Sequence, residues 1–205
     1  MEREARAQLR QVPLAAVNPI RVTEVSQALA AEILRLGDLA LDGTAGKGRD
    51  TAFLAGIVGP TGHVHAFDIQ ADALEATRTL CVQTGIADRI TLHHRSHAEI
   101  PAALPADHLG RIGIAIFNLG YLPGGDHAVI TRPDSTALAL RAAFAALRPG
   151  GRLICVAYTG HAGGGEESDV VLAFAEERGT AGDSILKHGH EPGSGRPWIL
   201  SVTRK

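Results

Sequence analysis

The sequence predicts an α/β fold: a doubly wound, mostly parallel seven-stranded sheet with one antiparallel strand. Three observations carry this. Short apolar runs alternate with stretches of helical periodicity, giving five strand-helix units. Glycine-rich or polar segments close the apolar runs. The last two runs are joined by the turn residues Pro192-Gly193-Ser194-Gly195, which make a hairpin in place of a helical crossover.

A helix over residues 22–36 precedes the sheet, and 39–42 is the first strand, followed by a helix over 49–58. Residues 62–68 form the second strand. The helix after it, 71–84, places Ala73, Leu74, Thr77, Leu80 and Cys81 on one face. The third strand, 89–93, leads into a short helix over 97–104. The continuous apolar run 112–118 reads as a strand buried on both faces, with a helix over 135–147 behind it. Arg148-Pro149-Gly150-Gly151 calls for a turn before the fifth strand, 153–158. A helix over 166–178 and the strands 183–190 and 197–203 complete the pattern. No Pro/Ser-rich linker or charge block divides residues 1–205, so one domain is expected.

Composition narrows the function classes. Lys+Arg total 20 against Asp+Glu 22, a net charge of -2, which excludes a globally basic nucleic-acid binder and leaves only a local patch. The longest nearly apolar run, 112–122, is half the roughly 20 residues a membrane-spanning helix needs. The first ten residues carry Glu2, Arg3, Glu4, Arg6 and Arg10 in place of a signal sequence's apolar stretch, and Cys81 and Cys155 lie far apart in apolar segments. Together these point to a cytoplasmic protein with reduced thiols. Aromatic residues are only 4%, so the core must be built mainly from Ala, Leu, Ile and Val.

The first strand ends in Asp42-Gly43-Thr44-Ala45-Gly46-Lys47-Gly48-Arg49-Asp50-Thr51 and runs straight into a helix. A glycine-rich turn at a helix N-terminus suits close approach of a cofactor. The order Asp-x-x-x-Gly-x-Gly resembles motif I of class I methyltransferases more than the G-x-G-x-x-G of dinucleotide sites. In that family an acid after the next strand accepts the ribose hydroxyls of S-adenosylmethionine. Asp68, 20 positions past Gly48 and followed by Ile69 and Gln70, fits, although NAD sites also place an acid at that distance. The fourth strand ends in Asn118-Leu119-Gly120-Tyr121-Leu122-Pro123-Gly124-Gly125. This resembles the Asn/Asp-Pro-Pro-Tyr motif of amino-methylating enzymes, with Leu119-Gly120 in place of Pro-Pro. There a side-chain oxygen and a carbonyl take the hydrogens of the target amine while an aromatic ring packs on the base, roles that fall to Asn118 and Tyr121.

The stretches 42–51, 65–70, 95–97 and 117–126 together resemble the bacterial family first called putative rRNA methylases and associated with methylation of tRNA 5-(aminomethyl)uridine at the wobble position. Lys47 stands where that family usually has Asn. The resemblance implies a Rossmann-like class I methyltransferase fold, S-adenosylmethionine as cofactor, the anticodon region of tRNA as substrate and a homodimer. It also implies cofactor contacts from Asp42, Thr44, Gly46, Lys47, Gly48, Asp50, Thr51, Asp68, Ile69, Gln70, Ser96, His97, Asn118 and Leu119. Ser96 and His97 would face the adenine, and Asp50 the amino-acid end.

Tyr158, His161 and His127 are three candidates for receiving the proton of the target amine, each equally well read as an ordinary polar residue. Lys47, Arg49, Arg95, Arg132, Lys187 and Arg196 are candidates for RNA contact. A metal site built on His93, His94 and His97, or on His188 and His190, lacks zinc-ligand spacing, and neighbouring strand residues point to opposite faces. Three alternatives remain open: an rRNA or small-molecule methyltransferase of the same fold, a non-catalytic nucleotide-binding module, and an NAD-dependent reductase. The last is disfavoured because no Tyr-x-x-x-Lys pair follows the fourth strand.

Overall fold

A computed structural model describes residues 10–12, 19–120, 130–161 and 163–205. The strands are β1 (Arg10–Val12), β2 (Leu39–Asp42), β3 (His63–Asp68), β4 (Ile90–His94), β5 (Ile112–Leu119), β6 (Leu147–Ala157), β7 (Ser184–Gly189) and β8 (Trp198–Thr203). The helices are α1 (Pro19–Ala31), α2 (Arg49–Val58), α3 (Ala71–Gln83), α4 (Ile100–Ala103), α5 (Pro133–Ala146) and α6 (Gly164–Thr180). One sheet runs in the order β1-β7-β8-β6-β5-β2-β3-β4. Only β8 is antiparallel to its neighbours, so the doubly wound arrangement stands as expected, extended by β1, which pairs parallel to β7 at the edge.

The sheet alternates its side chains between two apolar layers. Ile114, Ile116, Ile154 and Val156 face α1 and α2 through Val22, Leu29, Leu54 and Val58. Ala115, Phe117, Leu153 and Cys155 face α5 and α6 through Leu140, Phe144, Val171 and Phe174. Both cysteines are buried free thiols, and burial raises the Cys155 pKa well above the usual thiol value. Among the described residues no helix is long and apolar enough to cross a membrane.

Two boundaries differ from expectation for local reasons. The first helix starts at Pro19, whose fixed φ suits a first helical position, and ends at Ala31 instead of 36. Beyond it the chain turns back: Asp38 Oδ2 accepts the Arg35 N–H at 2.9 Å, and Gly37 takes a φ of 84°. Arg148-Pro149-Gly150-Gly151 does not end an element but bulges out within β6. The pairing with β5 jumps from Ile112↔Leu147 to Ile114↔Arg152, and Gly150 and Gly151 bond Arg204 beyond β8.

Arg152 then fastens α1 to the sheet. Its guanidinium lies 2.7 Å from Glu32 and donates to the Leu29 carbonyl, in the last turn of α1, at 2.8 Å and to Thr203 Oγ1 at 3.1 Å. A helix leaves its last carbonyls without internal partners, and this buried cation supplies one. Glu32 is 59% exposed, so the carbonyl bond and the packed stem outweigh the ion pair. Arg152→Ala should therefore destabilise by about 2 kcal/mol and Glu32→Ala by less than about 1 kcal/mol. Urea unfolding of both variants checks this order; equal losses would contradict it.

Candidate active site

β2 pairs with β3 on one side and β5 on the other, so the carboxyl ends of three strands lie together at the point where the sheet's winding reverses. They end in Asp42, Asp68 and Asn118 (followed only by Leu119). The glycine-rich loop after β2 is tied to both neighbours. Gly43 N–H donates to the Ile116 carbonyl and Ala45 N–H to the Phe67 carbonyl, each at 2.8 Å. The bare Cα atoms matter at two places. A Cβ on Gly43 would lie 2.1 Å from the Phe117 ring, and Gly48 combines a φ of 78° with Thr77 Cα only 2.9 Å from where its Cβ would be.

Asp42 works from beneath this loop. Its carboxylate accepts the Thr44 N–H at 3.1 Å and the Thr51 hydroxyl at 2.6 Å, and both Asp42 and Thr51 are fully buried. Burial first, then the nearby Asp50 charge, raises the Asp42 pKa to about 7 despite those two bonds. Asp42 and Thr51, expected at the cofactor, thus brace the loop from the side away from solvent.

Asp68 accepts the Gly46 N–H through one oxygen and the Gln70 N–H through the other, both at 2.9 Å. Each carboxylate oxygen keeps a further lone pair for a hydroxyl donor. Ile69 beside it is 54% exposed and Lys47 is exposed. Ser96 caps the short turn after β4 by accepting the Ala98 N–H. His97 is buried, with Nδ1 3.2 Å from the Gly43 carbonyl and Nε2 3.4 Å from Ser135 Oγ. Its ring therefore lies between the glycine loop and the start of α5.

Asn118 joins the strands to the first two helices. Its backbone N–H donates to Thr44 Oγ1, and its Nδ2 donates to Asp50 Oδ2, both at 2.7 Å. Gln27 of α1 donates from Nε2 to the other Asp50 oxygen, also at 2.7 Å. Asn118 Oδ1 is buried and, among the described residues, has no hydrogen-bond partner. No sequence signal marked Gln27, because it meets Asp50 only through the docking of α1. Leu119 is fully buried.

Past Asn118, a Cβ on Gly120 would lie 3.4 Å from both Tyr158 Cβ and His161 Nε2, so these two candidates flank the strand end. Burial, then the Asp50 charge, raises the Tyr158 pKa and keeps its phenol protonated. Tyr121 and His127 lie outside the described residues. Among the described residues on either side, Gly120 N–H donates to Thr131 Oγ1 at 2.8 Å, and buried Glu167 accepts the Thr131 and Thr136 hydroxyls at 2.6 and 2.5 Å.

The histidines assemble differently from their sequence grouping. His94 is exposed and lies 3.0 Å from the Ile69 carbonyl, whereas His93 stacks on Phe67 with ring centroids 4.3 Å apart. His65 sits centrally, with Nδ1 3.1 Å from His93 Nε2 and Nε2 2.8 Å from His108 Nδ1. Burial, then His63, His93 and His108, lowers the His65 pKa to about 3. Among the described residues no group of three or more side chains is arranged to hold a metal ion. His188, in β7, and His190 lie apart from this set.

Lys47, Arg49, Arg95, Arg132 and Arg196 are exposed and belong to loops or helix starts at the carboxyl edge of the sheet, around the site. Lys187 lies within β7 and is half-buried.

The family described as "Putative rRNA methylase" matches residues 64–191. The chain is 39% identical over 162 residues to the chloroplastic tRNA (mnm(5)s(2)U34)-methyltransferase of Arabidopsis thaliana, a match covering 75% of this chain and 58% of that protein. It therefore spans little more than half the length of that relative. Among solved structures, a putative rRNA-methylase from Clostridium thermocellum superposes with a TM-score of 0.83 at 31% identity, covering 94% of this chain and all of that one. A putative methyltransferase from Streptococcus mutans in complex with SAH gives 0.78 at 30% identity, over 93% of this chain and all of that one.

The raised Asp42 pKa has a stability consequence. Between about pH 3.8 and 7 the folded protein keeps a proton here that the unfolded chain releases, so this group's contribution is present at low pH and lost as pH approaches 7. Asp42→Asn retains an acceptor for Thr44 and a donor for Thr51 without the charge. Its stability relative to the wild type should rise from pH 4 to pH 7 by on the order of 1–4 kcal/mol. Unfolding curves of both proteins across that range test it, and a constant difference would contradict it.

Proposed function

We propose, for a chain that belongs to the putative rRNA methylase family, that it methylates the amine of 5-aminomethyluridine at the tRNA wobble position, using S-adenosylmethionine. The observation that carries this reading is the buried Asn118 Oδ1, an acceptor without a donor among the described residues, at the end of the strand beside the glycine loop. The similarity to a tRNA (mnm(5)s(2)U34)-methyltransferase supports the choice of substrate.

The residues fit the cofactor. Asp68 keeps lone pairs for the ribose hydroxyls, and the loop at Gly43–Gly48 has backbone packed where a Cβ would clash. Ile69 offers an exposed apolar surface beside Asp68. S-adenosylmethionine, when bound, supplies a methyl group on a cationic sulfur. The protein's task is then to present a neutral amine in line with it and to keep water away. Asn118 Oδ1 accepts one amine N–H, which turns the nitrogen lone pair away from the acceptor. Tyr158, held as a phenol, forms a polar wall that does not compete as an anion. The substrate ammonium gives up one proton to solvent before it is enclosed. The neutral nitrogen then forms its bond to the methyl as the methyl–sulfur bond breaks, and the neutral thioether is the leaving group. The nitrogen, keeping both hydrogens, becomes a dialkylammonium that departs as the cation.

The exposed cations at the carboxyl edge, Arg95, Arg132 and Arg196 among them, would meet the phosphates around the anticodon. One domain of 205 residues is small beside a tRNA, and a second copy of the chain would complete the contact surface.

Nucleoside mass analysis of tRNA carrying 5-aminomethyluridine, incubated with the protein and S-adenosylmethionine, should show a gain of one methyl on that nucleoside. Asn118→Ala should lose at least tenfold in kcat while still binding SAH, and Asp68→Ala should lose cofactor affinity, both with the fold retained by thermal melting. Full activity in both variants would sink the reading. A methyl gain on rRNA or a small amine alone would move it to another substrate.

A further inference from the structure

Asn118 can serve an amine only if its carbonyl oxygen, and not its NH2, faces the reaction space. An amide has no intrinsic preference between these two orientations, since they differ by a half-turn about one torsion. The choice must come from what the other end of the amide meets, and here that is Asp50. A carboxylate accepts and does not donate, so it takes the Asn118 NH2 and turns Oδ1 to the opposite side. The remaining Asp50 oxygen is occupied by the Gln27 NH2, which fixes the carboxylate between α1 and the strand end. Both bonds are 2.7 Å, the length of charge-assisted contacts, and Asp50 is 5% exposed.

We infer that Asp50, steadied by Gln27, is a positioning residue that locks the Asn118 amide with its acceptor toward the substrate, so that the site selects a target carrying an N–H. The inference rests on the amine-methylation reading above. It explains why Asn118 Oδ1 is left without a partner although an NH2 in the same place could have bonded elsewhere: the orientation is imposed by Asp50. It also gives Asp50 a task apart from any contact with the cofactor, because both of its oxygens already have donors.

The test is an exchange of the two side chains. In Asp50→Asn the new amide can donate to Asn118 as well as accept from it, so Asn118 is free to turn its NH2 into the site. kcat should fall at least tenfold, with KM for S-adenosylmethionine and the affinity for SAH within about threefold of the wild type. Adding Asn118→Asp restores an acceptor facing the substrate whichever way it turns, because a carboxylate offers an oxygen on both sides and the amide introduced at position 50 can donate to one of them. The double variant should regain at least fivefold in kcat over Asp50→Asn. Its pH-rate profile should move to higher pH, since a carboxylate beside the amine favours the ammonium form that must first lose its proton. A structural or cofactor-binding role for Asp50 predicts neither the recovery nor the pH displacement.

Single-variant activity within twofold of the wild type, or no recovery in the double variant, overturns the inference. An inactive wild type on this tRNA overturns the substrate reading instead. In that case the side-chain NH2 signals of Asn118 in nitrogen-15 NMR still decide the orientation. Protection from exchange in the wild type and its loss in Asp50→Asn support the inference, and equal exchange in both overturns it.

Discussion

Three carboxylates, Asp42, Asp50 and Asp68, converge on the carboxyl edge of the central strands, and the site depends on how nearby donors hold them there. Like charges brought near one another in a partly dry pocket repel, and burial adds to this at Asp42, whose pKa stays raised even with its donors in place. The chain meets each with two donors. Asp42 has the Thr44 N–H and the Thr51 hydroxyl, Asp68 has the N–H groups of Gly46 and Gln70, and Asp50 has the amides of Gln27 and Asn118. Burial decides how the three divide their work. Asp42 has no exposure and carries the raised pKa, so it acts as a brace, while Asp68 keeps a half-exposed position from which it can take a ligand's hydroxyls.

That arrangement depends in turn on the two layers of the fold. The glycine loop lies flat because Phe117 and Thr77 crowd the places where Cβ atoms would stand, so the packing of β5 and α3 shapes the loop as much as its own residues do. The Asp50 carboxylate is complete only when α1 is docked, since Gln27 is a residue of that helix. Arg152 holds the last turn of the same helix, just beyond Gln27.

Much of this was legible in the sequence. The alternation of apolar runs and helical periods located seven of the strands, because a parallel sheet covered on both faces demands continuous apolar runs of β length. All lie within two residues of expectation except the start of β6, which lies six residues before the expected one. Asp42, Asp68 and Asn118 were legible because each closes an apolar strand within a local motif: the glycine-rich turn, the acid 20 positions past Gly48 and the Asn-Leu-Gly-Tyr stretch. The topology brings those strand ends together. What was not legible needed contacts between distant segments. Gln27 and Asp50 are 23 residues apart. His65 meets His108 from 43 residues away, while the adjacent pair His93 and His94 separates to opposite faces. The face of β3 and β4 that carries His63, His65 and His93 is covered by the loop bearing His108 more than by an apolar helix. Small polar rings that bond one another fill it, and no metal-ligand spacing announces such packing. The segment 148–151 misled for another reason: Pro and Gly signal a turn, and a wide bulge inside a strand uses the same residues.

Among the described residues, the Asn118 acceptor at the end of β5 is buried and unanswered. A folded protein rarely strands a buried side-chain oxygen, because an unmade hydrogen bond costs on the order of 1–3 kcal/mol. Around Asn118 Oδ1 the neighbouring polar groups are answered: the Asn118 N–H by Thr44, its NH2 by Asp50, and the loop N–H groups of Gly43 and Gly46 by the Ile116 carbonyl and Asp68. This acceptor lies at the end of β5, beside the glycine loop, on an amide whose other side is held by a carboxylate. On the amine-methylation reading, that cost would be recovered when a donor enters, and an amine would gain a hydrogen bond without displacing one, which would favour it over a ligand that brings only acceptors.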